Sequence, residues 1–354
     1  MLLASALAPA LAACSADEPA GASAEATAEA SAPSADVRWD LLDVPDRGEA
    51  SVRADLRLGL GTVEVGRAEP ASLFQAEVTL PAGGLQTEFS TETAATESGP
   101  QARVRLALAG KAASPGDLDR TRGLAWRLLF SHRTPLDLAL ELGAAEADLD
   151  LTGIPLRRLT LVCGVARAGL RLRAPNPEAS ADVRVTAGVS AFTGEGLGYL
   201  RFRRFRFEGG VGSFLLDFRG APPEPGAEAA LRVGVGELTV VLPAGVPLVL
   251  DAPGGRMSSV EIPPGLVTLG RGRYATPGAE ADPSAFTVRI TSGPARVRVR
   301  IAGIPPAPPA PPLPPLPPLP PLPPLPPPPP APPLPPPSPD AERPPPRGDG
   351  RLGR

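Results

Sequence analysis

One short pattern recurs along this chain and restricts its fold more than any other feature. Apolar residues at alternate positions run into a glycine, and the alternation resumes beyond it on the opposite parity. Leu138, Leu140 and Leu142 lead to Gly143 and are followed by Leu149 and Leu151; Leu231 and Val233 lead to Gly234 and are followed by Leu238, Val240 and Leu242. Leu142 to Leu149, Cys163 to Leu170 and Val233 to Val240 are each seven residues apart, so the switch falls at the same place in each copy. A strand that keeps its apolar side chains on one face has period two, so the parity change requires a bend, bulge or turn that skips one position. Glycine is the residue that permits one.

Aligned on that glycine, Gly143, Gly164, Gly188, Gly210 and Gly234 stand 21, 24, 22 and 24 residues apart, a period characteristic of stacked supersecondary units. Gly59 and Gly293 head further copies outside the even spacing, expected in flanking or capping regions. One unit of this length cannot bury its apolar face alone, but stacked units bury a continuous ladder. Turn-forming stretches separate them: Thr152–Pro155, Ala174–Glu178 and Gly220–Gly226. The expected fold class is all-β: stacked repeats of about 22 residues forming a β-solenoid-like domain with a C-terminal cap over 134–304, preceded by a small β region over 37–133. A meander of hairpins turning at each Gly-x-Gly is the rival arrangement. Leu118–Phe130 is the best helix candidate, although it contains Gly123 and suits equally a loop leading into a strand. The Gly188 copy, which continues AFTGEGLGYL, lacks a clean second strand.

The two ends differ in composition from the middle. MLLASALAPALAAC is too short to span a bilayer as a helix but suits the apolar region of a signal peptide. Leu11-Ala12-Ala13-Cys14 matches the bacterial lipoprotein signal, so residues 1–13 are expected to be removed and Cys14 to carry the lipid, palmitate among its acyl chains. No Lys or Arg precedes the apolar run. Residues 14–36, rich in Ala, Ser and Glu, read as a tether, and 305–354 as a disordered, proline-rich tail. In the tail, Leu313, Leu316, Leu319, Leu322 and Leu325 form one stripe of a polyproline helix, and Arg347-Gly348-Asp349 is a chance tripeptide. Cys163 lies on the inward parity of its strand and, with Cys14 acylated, has no disulfide partner.

Chemistry-bearing constellations are sparse. His132 is the single histidine, and no nucleophile elbow, phosphate loop or dinucleotide fingerprint occurs. Glu141, Glu146, Asp148 and Asp150 are the densest carboxylates, and they occupy the outward positions of an alternating strand. Arg201, Arg203, Arg204 and Arg206 interleave with Tyr199, Phe202, Phe205 and Phe207, the one candidate ligand patch, with the arginines facing out and the phenylalanines in. A formal net charge of -3 argues against nucleic acid as a partner. No catalytic residue, metal site or cofactor is expected.

The residues 134–172, with FEGGVGSFLLDF, LRVGVGELTVVLPAGVPLVLD and, further upstream, LRLGLGTVEVGRAEPASLFQAEV, resemble the bacterial toast-rack domains. These are β-solenoid-like modules of unknown function, related in pattern to adhesin-like proteins and to cell-wall-active antibiotics response proteins. The resemblance implies a fold and carries no catalytic residue. The expected protein is a non-enzymatic, lipid-anchored module of the cell envelope, exposed outside the cytoplasm, that binds or scaffolds a cell-wall or envelope protein partner. A regulatory partner in envelope-stress signalling, implied by the resemblance alone, and a carbohydrate-active enzyme on a β-solenoid are the alternatives.

Overall fold

The computed structural model describes residues 37–81, 85–109, 123–180, 182–255 and 257–302. Cys14, the tether and the proline-rich tail lie outside the described residues. The strands in chain order are β1 (Val37–Pro45), β2 (Ser51–Arg67), β3 (Ser72–Pro81), β4 (Gln86–Thr96), β5 (Gly99–Ala109), β6 (Ala125–Phe130), β7 (Leu136–Asp150), β8 (Leu156–Arg171) and β9 (Asp182–Glu195). They continue as β10 (Arg204–Asp217), β11 (Glu228–Pro243), β12 (Leu248–Asp251), β13 (Ser259–Glu261), β14 (Val267–Gly270), β15 (Arg273–Ala275), β16 (Phe286–Ser292) and β17 (Ala295–Ala302). Of the helix candidate, Ala125–Phe130 is strand β6.

Each of β2 and β7 to β11 contains one whole copy of the repeat, so the parity switch is a bend inside a continuous strand. These strands stack in parallel and in register. Leu56, Leu140, Leu161, Val185, Phe207, Leu231 and Ile290 form one inward column before the bend. Val63, Ala147, Ala168, Phe192, Phe214, Leu238 and Val297 form another after it. All these residues are buried, within one core cluster. The halves before the bend build one wall and the halves after it a second; Phe207 and Phe214, one from each wall, meet edge to face at 5.2 Å. Parallel pairing settles the arrangement as a solenoid, since hairpins would pair antiparallel.

The glycine at the head of each copy serves a different purpose from the one expected. None of Gly59, Gly143, Gly164, Gly188, Gly210, Gly234 and Gly293 has a positive φ. Instead they stack in a column, and a Cβ on Gly164, Gly188, Gly210, Gly234 or Gly293 would stand 2.8, 2.7, 2.7, 2.6 or 2.5 Å from the carbonyl oxygen of the glycine one rung before. The column also runs from Gly59 to Gly143. The conformational demand falls two residues later, where Gly212 and Gly236 have φ of 152° and 126°. The first glycine therefore allows rungs to approach at the bend; the second, where present as in β10 and β11, takes a positive φ, whereas β7, β8 and β9 carry Ala145, Ala166 and Ser190 there without one.

Gly59 and Gly293, expected in flanking regions, are rungs of the same stack. β2 lies between β7 and a layer made of β5 and β6. At the other end, β16 and β17 lie between β11 and a layer made of β12 and β13. Residue 133 thus falls in a turn between strands of one sheet. The irregular copy is resolved similarly: β9 runs unbroken past the bend, and Gly194 occupies an inward position whose space is filled by Leu197.

Candidate functional site

Alternation that buries one parity exposes the other, and register sorts the exposed side chains into columns. On the outer face of the first wall, Arg53, Asp137, Arg158, Asp182, Arg204 and Glu228 follow one another rung by rung, alternating in sign. Opposite charges directly across neighbouring strands stabilise the pairing, so this column stabilises the stack and leaves little net field.

The four arginines of the expected patch divide between these tasks. Arg206 reaches Asp182 at 3.8 Å and Arg204 lies between Asp182 and Glu228 in the column. Arg201 sits at a corner, where its guanidinium donates to Glu224 at 3.1 Å and to the carbonyl oxygen of Asn176 at 3.4 Å. Arg203 is exposed in the following turn. Phe202, Phe205 and Phe207 are buried, and Phe202, Phe205, Phe218 and Phe286 pack ring on ring with centroids 5.1 to 6.0 Å apart. The aromatic rings are therefore core, unavailable for stacking on a ligand.

The carboxylates behave similarly. The bend places Glu141 on the first wall, 3.7 Å from Arg57, and Glu146, Asp148 and Asp150 on the second. Asp148 accepts from Arg171 at 3.1 Å and Asp150 from the backbone N–H of Thr152 at 3.0 Å. Register sets Glu64 beside Asp148, but no group of three or more His, Cys, Asp or Glu able to hold a metal occurs among the described residues. His132 lies in the turn between β6 and β7. Cys163 is buried, and burial pushes its thiol up from 9.0 to about 11.

One concavity among the described residues takes in Glu141 and none of the four arginines of the expected patch. On the outer face of the first wall, β4, β5, β2, β7 and β8 form a groove of about 730 Å³. Arg53, Arg57 and Arg105 line it together with Asp55, Glu88 and Glu141, above a floor that includes Ala107, Ala139 and Val162. Three cations and three anions balance. The alternation Arg53-x-Asp55-x-Arg57 is visible in the sequence as an outward face. Its meeting with β4 and β5 is not, because that needs the parallel register of β2 on β5. A smaller cavity of about 450 Å³, lined by Arg171, Arg173, Glu195, Tyr199, Asp217 and Arg219 among others, lies on the second wall.

A further surface feature follows from the bend. The residue after each of Gly164, Gly188, Gly210 and Gly234 points outward, giving Val165, Val189, Val211 and Val235 exposures of 64, 58, 48 and 45% in one column. The conformation of the bend, which swaps parity, is what exposes these valines.

Comparison with known families matches this architecture. Residues 30–194 match Toast_rack_N, the N-terminal domain of toast_rack, DUF2154. The described fold is the β-solenoid-like stack of that class. Among crystal structures, the chain is similar to a candidate cell adhesion protein from Clostridium sporogenes, with 15% identity over 75% of this chain and 100% of that chain and a TM-score of 0.38. It is also similar to a candidate adhesin from Bacteroides fragilis, with 8% identity over 75% and 98% and a TM-score of 0.27. A candidate lipid binding protein from Parabacteroides distasonis is similar at 10% identity over 76% and 95%, with a TM-score of 0.25. Comparison with curated protein sequences gives no match.

Proposed function

We propose that the protein is a non-enzymatic binding module of the cell envelope, anchored by lipid on Cys14, whose groove on the first wall holds an extended polar polymer of the wall. The observation that carries this reading is the groove itself: about 730 Å³ of open concavity with three arginines and three carboxylates over small apolar side chains. Balanced donors and acceptors on rigid strands suit a ligand rich in hydroxyl and amide groups and low in net charge, such as a glycan strand. The length of the stack supports a scaffolding use as well, because side chains on a rigid sheet hold their geometry better than side chains on loops. The Cys14 anchor is supported by the lipoprotein-like sequence around it.

The test is co-sedimentation of the full chain with purified cell-wall sacculi. Arg57→Glu with Arg105→Glu should lower the bound fraction about tenfold while leaving the melting transition nearly unchanged, since both side chains are exposed. Equal binding by the double variant and the wild type would remove the groove from the reading. In fractionated cells, Cys14→Ser should move the protein from the membrane to the soluble fraction.

A further inference from the structure

A free sheet edge offers a row of unpaired N–H and C=O groups to any other chain, and proteins blunt such edges by shortness, charge, proline or a bulge. Among the described residues, three of the four outermost strands follow that rule. β13 and β14 are three and four residues long, and β4 alternates Glu88, Ser90 and Glu92 along its exposed side. β1 differs. It spans nine residues, pairs with β3 on one side, and among the described residues pairs with nothing on the other. Its bulge and its proline come only at the end, at Val44 and Pro45. On its outer face stand Trp39 and Leu41, 67% and 74% exposed, two of the largest apolar side chains left open to solvent.

The order of residues along β1 states which partner fits. A two-fold interface is self-complementary, so each residue must suit its own mirror position. Antiparallel pairing of two copies about Trp39 sets Trp39 against Trp39 of the second copy, Arg38 against its Asp40, and Asp40 against its Arg38. The charged pair lies on one face of the strand and the aromatic pair on the other. Aromatic pairs and opposite charges directly across a ladder each stabilise it, and like charges there destabilise it. Asp40 is already held in place, accepting from Arg38 at 2.8 Å and from the hydroxyl of Thr87 at 2.9 Å, while the Arg38 side chain is 59% exposed and free to reach a second carboxylate. We propose that the protein forms a two-fold homodimer in which β1 pairs antiparallel with β1 of a second copy about Trp39, joining their second walls into one sheet.

Sedimentation of the full chain across a roughly hundredfold range of concentration tests this, because a dimer's population depends on protomer concentration. The wild type should sediment as a dimer at the upper end. Arg38→Asp, which sets like charges together twice, should raise the dissociation constant about tenfold or more. Arg38→Asp combined with Asp40→Arg exchanges the charges and should restore the dimer. Trp39→Lys, which leaves the Arg38 and Asp40 pair intact, should also give monomer, and circular dichroism of each variant reports that the fold is retained. A wild type monomeric throughout, or a dimer indifferent to Arg38→Asp and Trp39→Lys, overturns the proposal. Failure of the exchanged pair to restore what the single reversal breaks overturns the register about Trp39.

Discussion

The central rungs β7 to β11 and the end rungs β2 and β16–β17 have the same bend and the same inward columns, yet they are assembled differently. In the centre each strand pairs with the next in sequence, across intervals of 21 to 24 residues between ladder glycines. At the ends the partner lies far away in sequence: Gly143 stacks on Gly59, and Gly293 on Gly234. The intervening segments form the layers that cover each end, with β3 to β6 beyond β2 and β12 to β15 beyond β16 and β17. Insertion of a terminal rung between the stack and its own cover protects strand edges that would otherwise be exposed. Capping by long-range insertion thus disguises as stray copies two rungs that are physically equivalent to the rest.

This comparison can be broken most sharply at the glycine column. Gly210→Val places a side chain against the backbone carbonyl of Gly188, where neither rung can yield, and should cost about 4 kcal/mol or more in denaturant unfolding. Gly293→Val meets the carbonyl of Gly234 at least as closely. At the end of the stack, however, that clash can be relieved by local opening of β16 and β17. Hydrogen exchange should show loss of protection spread over the central rungs in the first variant and confined to β12–β17 in the second. Equal spreading in both would show that end and centre form one cooperative unit.

Side chains in one central rung sharpen the comparison between inward and outward positions. Phe214 is 3% exposed and packs on Phe207, so Phe214→Ala should cost about 3 to 4 kcal/mol. By parity Asp217 is an outward residue, and the sequence alone predicts that its loss costs under about 1 kcal/mol. The structure corrects this. Asp217 is only 8% exposed because Arg219, two residues on, folds over it, donating to both carboxylate oxygens at 2.6 to 3.0 Å, while the Arg219 backbone N–H donates at 2.9 Å. Asp217→Ala leaves a turn without its acceptor and should cost about 1 to 2 kcal/mol, still less than Phe214→Ala. Parallel urea melts of the two variants measure the ordering.

The smallest effect concerns Cys163. Its folded thiol titrates at about 11, above the ordinary 9.0, because burial disfavours the thiolate. The stability this contributes is complete below pH 9 and is lost as pH rises through 11, since the unfolded chain then releases the proton first. The difference in unfolding midpoint between wild type and Cys163→Val should therefore be constant up to about pH 9 and shift against the wild type above it. Native alkylation at neutral pH should be slow beside that of the unfolded chain.

Much of this was legible in the sequence because period-two alternation is a local signal. The inward columns, the burial of Phe205, Phe207 and Cys163, and the solvent-facing Glu146 and Asp148 follow from parity alone. The role of the ladder glycines was not legible, because the atom each one must avoid belongs to another rung. Nor was the groove, in which residues of β2 meet Glu88, Arg105 and Glu141 from three other strands.

By itself, then, the sequence determined the repeating unit: where each strand bends, which parity is buried, and that units of this length must stack to form a core. Tertiary structure alone decided the order of stacking. A bent strand offers similar edges above and below, so the choice of neighbour for β2 and for β16–β17 rests on burial of apolar columns and closure of open edges, which are properties of the assembled stack.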